Sequence, residues 1–176
     1  MKHQALSPSP QTAEDAHQQY AALCWRAGRS GPEILLITSR DSGRWVIPKG
    51  WPIKGLSPAD VAAREAWEEA GVKGRKKPYH IGQFSYDKVL NRTAPDQSSL
   101  PCVVSVYALE VTDIAKQFPE KGQRQFVWLS PTKAALNVNE DALQALLSDF
   151  CPDRGCPPPS VRAQRPGRRA KGGSPT

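Results

Sequence analysis

Residues 64–72 read Arg-Glu-Ala-Trp-Glu-Glu-Ala-Gly-Val, which sets carboxylates at Glu65, Glu68 and Glu69 and a glycine, Gly71, just beyond them. At roughly 100° per residue, offsets of zero, three and four share one face of a helix. Like charges stacked in that way repel one another, and a hard divalent cation such as Mg²⁺, which prefers oxygen ligands, relieves the repulsion. The spacing points to metal-assisted chemistry on phosphates. A Glu-rich face is also the ordinary make-up of a solvated helix, so the residues upstream carry the decision. There, Trp45-Val46-Ile47-Pro48-Lys49-Gly50 reads as a short apolar strand broken at Pro-Lys-Gly. Gly55 and the helix entry Ser57-Pro58-Ala59-Asp60 follow. Serine is a good N-cap and proline suits the first helical turn.

From Gly50 to Val72 the chain resembles the Nudix box, G-x5-E-x7-R-E-U-x-E-E-x-G-U, the signature of pyrophosphohydrolases that cut a nucleoside or other diphosphate linked to a second group. Gly50, Arg64, Glu65, Glu68, Glu69, Gly71 and Val72 match at the right spacing, with Ala66 standing in for the usual aliphatic residue. Leu56 occupies the place of the first box glutamate, so one carboxylate of the pattern is missing. The resemblance implies Mg²⁺, with Mn²⁺ as an alternative, held by Glu65 and Glu69. It implies Glu68 as general base, and Arg64 paired with a box glutamate so that the carboxylates do not spread apart. Gly50 and Gly71 let the backbone turn closely at the loop and the helix end.

Outside the box, Thr38-Ser39-Arg40 and the following Asp41-Ser42-Gly43-Arg44-Trp45 resemble the strand and turn that precede the box in the diphosphoinositol polyphosphate phosphohydrolase branch of the family. Gly122-Gln123-Arg124, ahead of Trp128, resembles that branch's basic segment. The resemblance implies substrate contacts at Thr38, Ser39, Arg40, Lys49, Gly50 and Arg124. Arginine offers phosphate a bidentate fork and lysine a compact point charge. Lys54, Lys76 and Lys77 also flank the helix, the last two in an expected loop. Glu120, in FPEKGQR, and Glu110, in YALEV, are single carboxylates that could complete a metal shell, Glu120 being favoured. His3, His17 and His80 form no metal cluster, and His80 reads as a packing residue at a strand start.

The elements that must position these groups follow from periodicity. Strands are expected at 20–26, 33–40 and 44–48 before the box helix. After it come a strand pair at 79–90 and 102–111, joined by a polar loop at 91–100, then a strand at 125–129. An amphipathic helix over 139–150 closes the chain, with Leu143, Leu146, Leu147 and Phe150 on one face. This order fits an α/β fold, an α/β/α sandwich around a mixed sheet, and the resemblance implies the same. Residues 1–17 read as a flexible leader, 18–150 as the hydrolase domain and 151–176 as a disordered basic tail.

A chain of 176 residues suits one domain. The formal charge of +7 is mostly a tail property, because residues 152–176 carry six basic side chains against Asp153. With six prolines and four glycines, that tail has too little apolar mass to offset its ordering entropy. It reads as a solvated appendage, although it leaves RNA open as a partner. No apolar run approaches a membrane span and the N-terminus lacks a secretory core, so a cytoplasmic protein is expected. Cys24 and Cys102 sit in apolar contexts expected to hold buried free thiols. Cys151 and Cys156 have no neighbouring histidine, which disfavours zinc.

The sequence thus points to a Mg²⁺-dependent hydrolase that cleaves a phosphoanhydride in a polyphosphorylated small molecule, such as a diphosphoinositol polyphosphate or a diadenosine polyphosphate. Alternatives are a nucleotide-sugar or nucleoside-triphosphate pyrophosphatase, or a degenerate domain that only binds a nucleotide or RNA.

Overall fold

The computed structural model describes residues 16–90 and 98–152. The expected leader before residue 16, most of the 91–100 loop, Cys156 and the basic tail from residue 153 lie outside the described residues. The elements are β1 (His17–Gly28), β2 (Gly31–Thr38), β3 (Trp45–Val46), β4 (Lys49–Gly50), α1 (Pro58–Ala70), β5 (Val72–Lys76), β6 (Gly82–Val89), β7 (Ser99–Ile114), β8 (Phe126–Leu129), α2 (Pro131–Asn137) and α3 (Asp141–Ser148).

Near-continuous apolar runs such as Ala21-Ala22-Leu23-Cys24 and Ile34-Leu35-Leu36-Ile37 are what a sheet covered on both faces requires. The alternation separates them cleanly. Ala21, Leu23, Ile34, Leu36, Val104 and Val106 pack with Ala134, Ala135, Leu143 and Leu147 of α2 and α3. Ala22, Cys24, Leu35, Ile37, Tyr107 and Leu109 pack with Ala59, Ala62, Ala66 and Ala70 of α1. Each fully buried leucine or isoleucine contributes about 1.5–3 kcal/mol. The result is a helix–sheet–helix sandwich.

The sheet is mixed because β1 runs parallel to β7, while β1 pairs antiparallel with β2 and β4. β7 is long, 16 residues, because β6 and β5 pair with its two ends in turn. The expected third strand divides in two. Pro48, which lacks an N–H to donate, separates β3 from β4, and its carbonyl accepts from Ala22 N–H at 2.9 Å.

Several boundaries differ from expectation. His17 already belongs to β1. Lys76 lies in β5, where a loop was expected, and ion-pairs with Asp60 at 2.9 Å. β5 has no apolar alternation; its pairing with β7 makes it a strand, and its charges suit a sheet edge. His80 is exposed in the loop before β6, edge-on to Tyr107 at 6.3 Å between centroids, so the expected packing histidine at a strand start is a surface loop residue. Cys24 and Cys102 are buried free thiols, as expected. None of the described helices is long and apolar enough to cross a membrane.

Candidate active site

α1 starts as its sequence suggests: the Ser57 hydroxyl accepts from Asp60 N–H at 3.2 Å, with Pro58 in the first turn. It stops at Gly71, whose φ of 68° is left-handed and whose N–H donates to Trp67 O at 2.9 Å. A side chain there would strike Phe118. The four alanines of the buried face let α1 lie close to the sheet, which brings Glu69 against β4 and the segment before β8.

Glu69 is the best-anchored carboxylate. Its Oε2 accepts from Lys49 N–H at 3.3 Å and its Oε1 pairs with Arg124 Nη2. Arg124, whose side chain is 7% exposed, also donates from Nε to Glu120 Oε2 at 2.9 Å and from Nη1 to Thr38 O at 3.0 Å. One guanidinium thus holds Glu69, Glu120 and the end of β2 together. Burial pushes the Glu69 carboxyl up to about 7, against the opposing pull of Arg124 and Lys49. The half-buried Glu65 is also raised, first by burial and then by repulsion from Glu68 and Glu120. Burial lowers Lys49, with Glu69 and Glu140 opposing.

Gly50 is buried directly against Glu65. A Cβ there would stand 2.6 Å from Glu65 Oε2 and nearer still to Oε1 and the carboxyl carbon. Glycine is needed for close approach, since Gly50 is not among the positive-φ glycines.

A cavity of about 490 Å³ opens here, lined by Ser39, Arg40, Lys49, Gly50, Glu65, Glu69, Glu120 and Arg124 among others. Of the expected site residues, Thr38, Arg64 and Glu68 do not line it. Thr38 works through its backbone and by accepting Gln125 N–H on its hydroxyl at 2.9 Å. Arg64 pairs with Glu68 one turn along the helix, as the sequence suggested, and lies over Trp67. Arg40, 55% exposed in its side chain, reaches Glu120 at 3.2 Å and Gln123 at 3.3 Å. Ser39 closes the turn, its N–H donating to Arg44 O and its carbonyl accepting from Gly43 N–H, both at 2.8 Å.

Glu110 is elsewhere: it pairs with Arg75 and lines a larger cavity of about 1140 Å³ with Trp25, Tyr79 and Phe150. Lys76 and Lys77 line that cavity too. It holds none of the box carboxylates, so the chemistry selects the smaller one. Gln19, Tyr86 and Glu140 also line the smaller cavity, and the sequence reading missed them. Gln19 and Tyr86 are joined by a 2.7 Å hydrogen bond. Their signal in the sequence is faint, because Gln19 follows Gln18 at the start of β1 and Tyr86 sits among Ser85, Asp87 and Lys88 in β6, so neither stands out from its polar neighbours.

The donor set suits a hard cation: every acidic group is an oxygen donor, and Glu65 is repelled by Glu68 and Glu120, with Arg124 and Arg64 opposing. Among the described residues no three ligand-type side chains converge on one point. The fit therefore rests on donor chemistry and on the close seat of Glu65 against Gly50.

A mixed-sheet sandwich with a glutamate helix over a basic-rimmed cavity defines a class of phosphate-handling domains, and the comparisons agree. Residues 17–149 match the NUDIX domain. Nudix hydrolase 12, mitochondrial, from Arabidopsis thaliana is 30% identical over 118 residues, covering 67% of this chain and 58% of that protein. Diphosphoinositol polyphosphate phosphohydrolase 2 from Rattus norvegicus is 32% identical over 107 residues, covering 61% and 53%. The chain spans a little over half the length of these relatives. Among solved structures, the C. elegans Ap4A hydrolase has a TM-score of 0.52 at 17% identity, covering 76% of this chain and 94% of that one. The E. coli dihydroneopterin triphosphate pyrophosphohydrolase reaches 0.56 at 15%, covering 77% and 97%. These two likenesses speak to the fold. The chain belongs to the Nudix hydrolase family.

Proposed function

We propose that the protein is a Mg²⁺-dependent hydrolase that cleaves a phosphoanhydride bond in a polyphosphorylated small molecule, as the names of its relatives state for diphosphoinositol polyphosphates and Ap4A. The observation that supports this best is the single constellation of Glu65 on Gly50, Glu69 on Lys49 N–H and Arg124, and Arg40 at the rim of one cavity. Glu65 and Glu69 would hold Mg²⁺, with Mn²⁺ as the alternative, which when bound neutralises phosphate charge and polarises phosphorus.

The chain's own residues do the rest. Arg40 leaves Glu120 and Gln123 to pair with a substrate phosphate, its exposure making that exchange inexpensive. Arg124 stays with the carboxylates and acts as a positioning residue, because its donors are already used. A carboxylate removes a proton from the attacking water as its oxygen bonds to phosphorus. The bridging P–O bond breaks and its electron pair leaves with the second phosphate. Two carboxylates compete for the base: Glu68 by its place in the box, and Glu120 because it lines the cavity. Such a base typically supplies ~10²–10⁴ in rate. Cytoplasmic placement rests on composition, and the Arabidopsis relative is named mitochondrial.

The test is phosphate release with Mg²⁺ or Mn²⁺ from a diphosphoinositol polyphosphate, a diadenosine polyphosphate, a nucleotide sugar and a nucleoside triphosphate. Glu69→Gln should cost at least ~10²-fold. Glu68→Gln and Glu120→Gln separate the two bases by which of them abolishes turnover. Absence of release from every substrate, with nucleotide binding retained, would leave the degenerate binding domain as the function.

A further inference from the structure

Positive charge is gathered at one end of the molecule. Residues 73–77 carry Lys73, Arg75, Lys76 and Lys77 with no acid among them, a charge of +4, and residues 152–176 carry +5. Taken from the formal +7 of the whole chain, these two segments leave −2 for everything else. They also meet in space. Arg75, Lys76 and Lys77 line the larger cavity, and so does Pro152, the last described residue, which tethers the charges of the tail at its mouth.

This cavity exists because α3 stops short. The 8 residues of α3 cover about 12 Å, whereas the 12 of β1 extend about 40 Å. Beyond Ser148 the sheet lies open at Trp25, Ala27 and Ala108. Aromatic rings border the opening. Trp25 and Phe150 pack together at 6.0 Å between centroids, and Tyr79 is 56% exposed. Tyr79 is carried on a short loop fixed to β7 at both ends: Lys77 N–H donates to Ala108 O at 3.2 Å and Ile81 N–H to Val106 O at 2.8 Å. A ring presented in this way in the free protein binds a flat partner with little further ordering cost. The site is remote from the box carboxylates. Gln19 of β1 lines the catalytic cavity and Trp25, Ala27 and Gly28 line this one, so about 20–30 Å of strand separates them.

We propose that this end of the protein binds single-stranded nucleic acid, with bases stacking on Tyr79 and on the Trp25–Phe150 wall and phosphates meeting Arg75 and the tethered tail. Aromatic rings beside a basic track suit an unpaired strand, because every base has a π-face and every phosphate a negative charge. The tail supplies charge but no stacking, since residues 153–176 contain no Phe, Tyr or Trp. The folded domain supplies the rings. Two carboxylates line the cavity as well. Asp149 is exposed at the end of α3, and Glu110 is held by Arg75 at 3.1 Å, a pair exposed enough to open when a phosphate competes. Lys76 stays with Asp60 on α1.

The experiment is fluorescence anisotropy of a labelled oligouridylate of about twelve nucleotides with the full chain, across a salt series and without divalent metal. Tyr79→Ala should weaken binding about fivefold or more at unchanged salt dependence, and Tyr79→Phe should restore most of the loss. Arg75→Gln should reduce the slope of log affinity against log salt by about 0.7, the share of one phosphate contact on a single strand. Changing Arg165, Arg168 and Arg169 together to glutamine should lower that slope again. Arg40→Ala, at the catalytic cavity, should leave oligonucleotide binding as it was. A loss in Arg40→Ala equal to that in Tyr79→Ala would place the strand in the catalytic cavity and overturn the proposal. So would the absence of binding at low salt, binding indifferent to both Arg75 and Tyr79, or a duplex of the same length bound as tightly as the single strand. Arg75-dependent binding to vesicles of phosphatidylserine and phosphatidylcholine, with no oligonucleotide bound, would assign this face to an anionic membrane instead.

Discussion

Gly50→Ala separates the site from the fold. Gly50 has an ordinary negative φ, so the backbone accepts alanine, and the loss of unfolded-state freedom even favours folding by about 0.4–1 kcal/mol. The new methyl would overlap the carboxyl carbon and Oε1 of Glu65 and stand 2.6 Å from its Oε2, where ordinary contact begins at 3.4 Å, so Oε2 must retreat by 0.8 Å and the nearer atoms by more. It is the far end of a flexible, half-buried side chain, and turning it off its rotamer costs about 0.5–1.5 kcal/mol. The two effects nearly cancel, and a urea melt should move by less than about 1 kcal/mol. Metal binding has no such tolerance, since Mg²⁺–oxygen bonds of ~2.1 Å admit deviations of only about 0.2 Å. Losing the placement of one ligand should weaken Mg²⁺ and Mn²⁺ about 10–100-fold, by analogy with the removal of groups that orient metal ligands. The assay is calorimetric titration of either ion into wild type and variant, paired with the Mg²⁺ dependence of phosphate release. A folded variant with wild-type metal affinity would refute the placement of Glu65 as a ligand. A melt shifted by several kcal/mol would refute the claim that only the carboxylate yields.

Arg124→Ala should cost about 3–5 kcal/mol in the same melt, because it strands the buried Glu69 charge; a loss confined to KM, with stability intact, would return Arg124 to the role of phosphate reader. Leu56→Glu should be close to neutral, within about 0.5 kcal/mol, since Leu56 is 40% exposed and a carboxylate there is not desolvated; a large destabilisation in the melt would show that the leucine packs in solution. Cys24, whose thiol burial raises far above its ordinary range, should resist a thiol reagent at pH 8 until the protein is unfolded, and rapid labelling of Cys24 in the native state, read by peptide mass, would contradict its place under α1.

What the sequence determined by itself was whatever rests on local period and spacing. The Ser57–Gly71 helix, the apolar runs of β1 and β2, and the shared face of Glu65, Glu68 and Glu69 are all of this kind, because helix pitch and strand alternation convert spacing directly into geometry. α2 was legible too, in Ser130-Pro131, the same entry signal as Ser57-Pro58, although the sequence reading passed over it. β5 was not, since Val72–Lys76 has no alternation and becomes a strand through its pairing with β7. The partners of each carboxylate were likewise decided by the tertiary structure. Glu110, near the end of a strand, and Glu120, in the loop beyond it, both read as single acids in the sequence, yet one closes on Arg75 beside the larger cavity and the other on Arg124 at the site. Arg124 looks like a phosphate reader in sequence, and 55 residues separate it from the Glu69 that occupies it. Pairings across such distances depend on how the strands of the sheet are ordered, and short-range periodicity carries no record of that order.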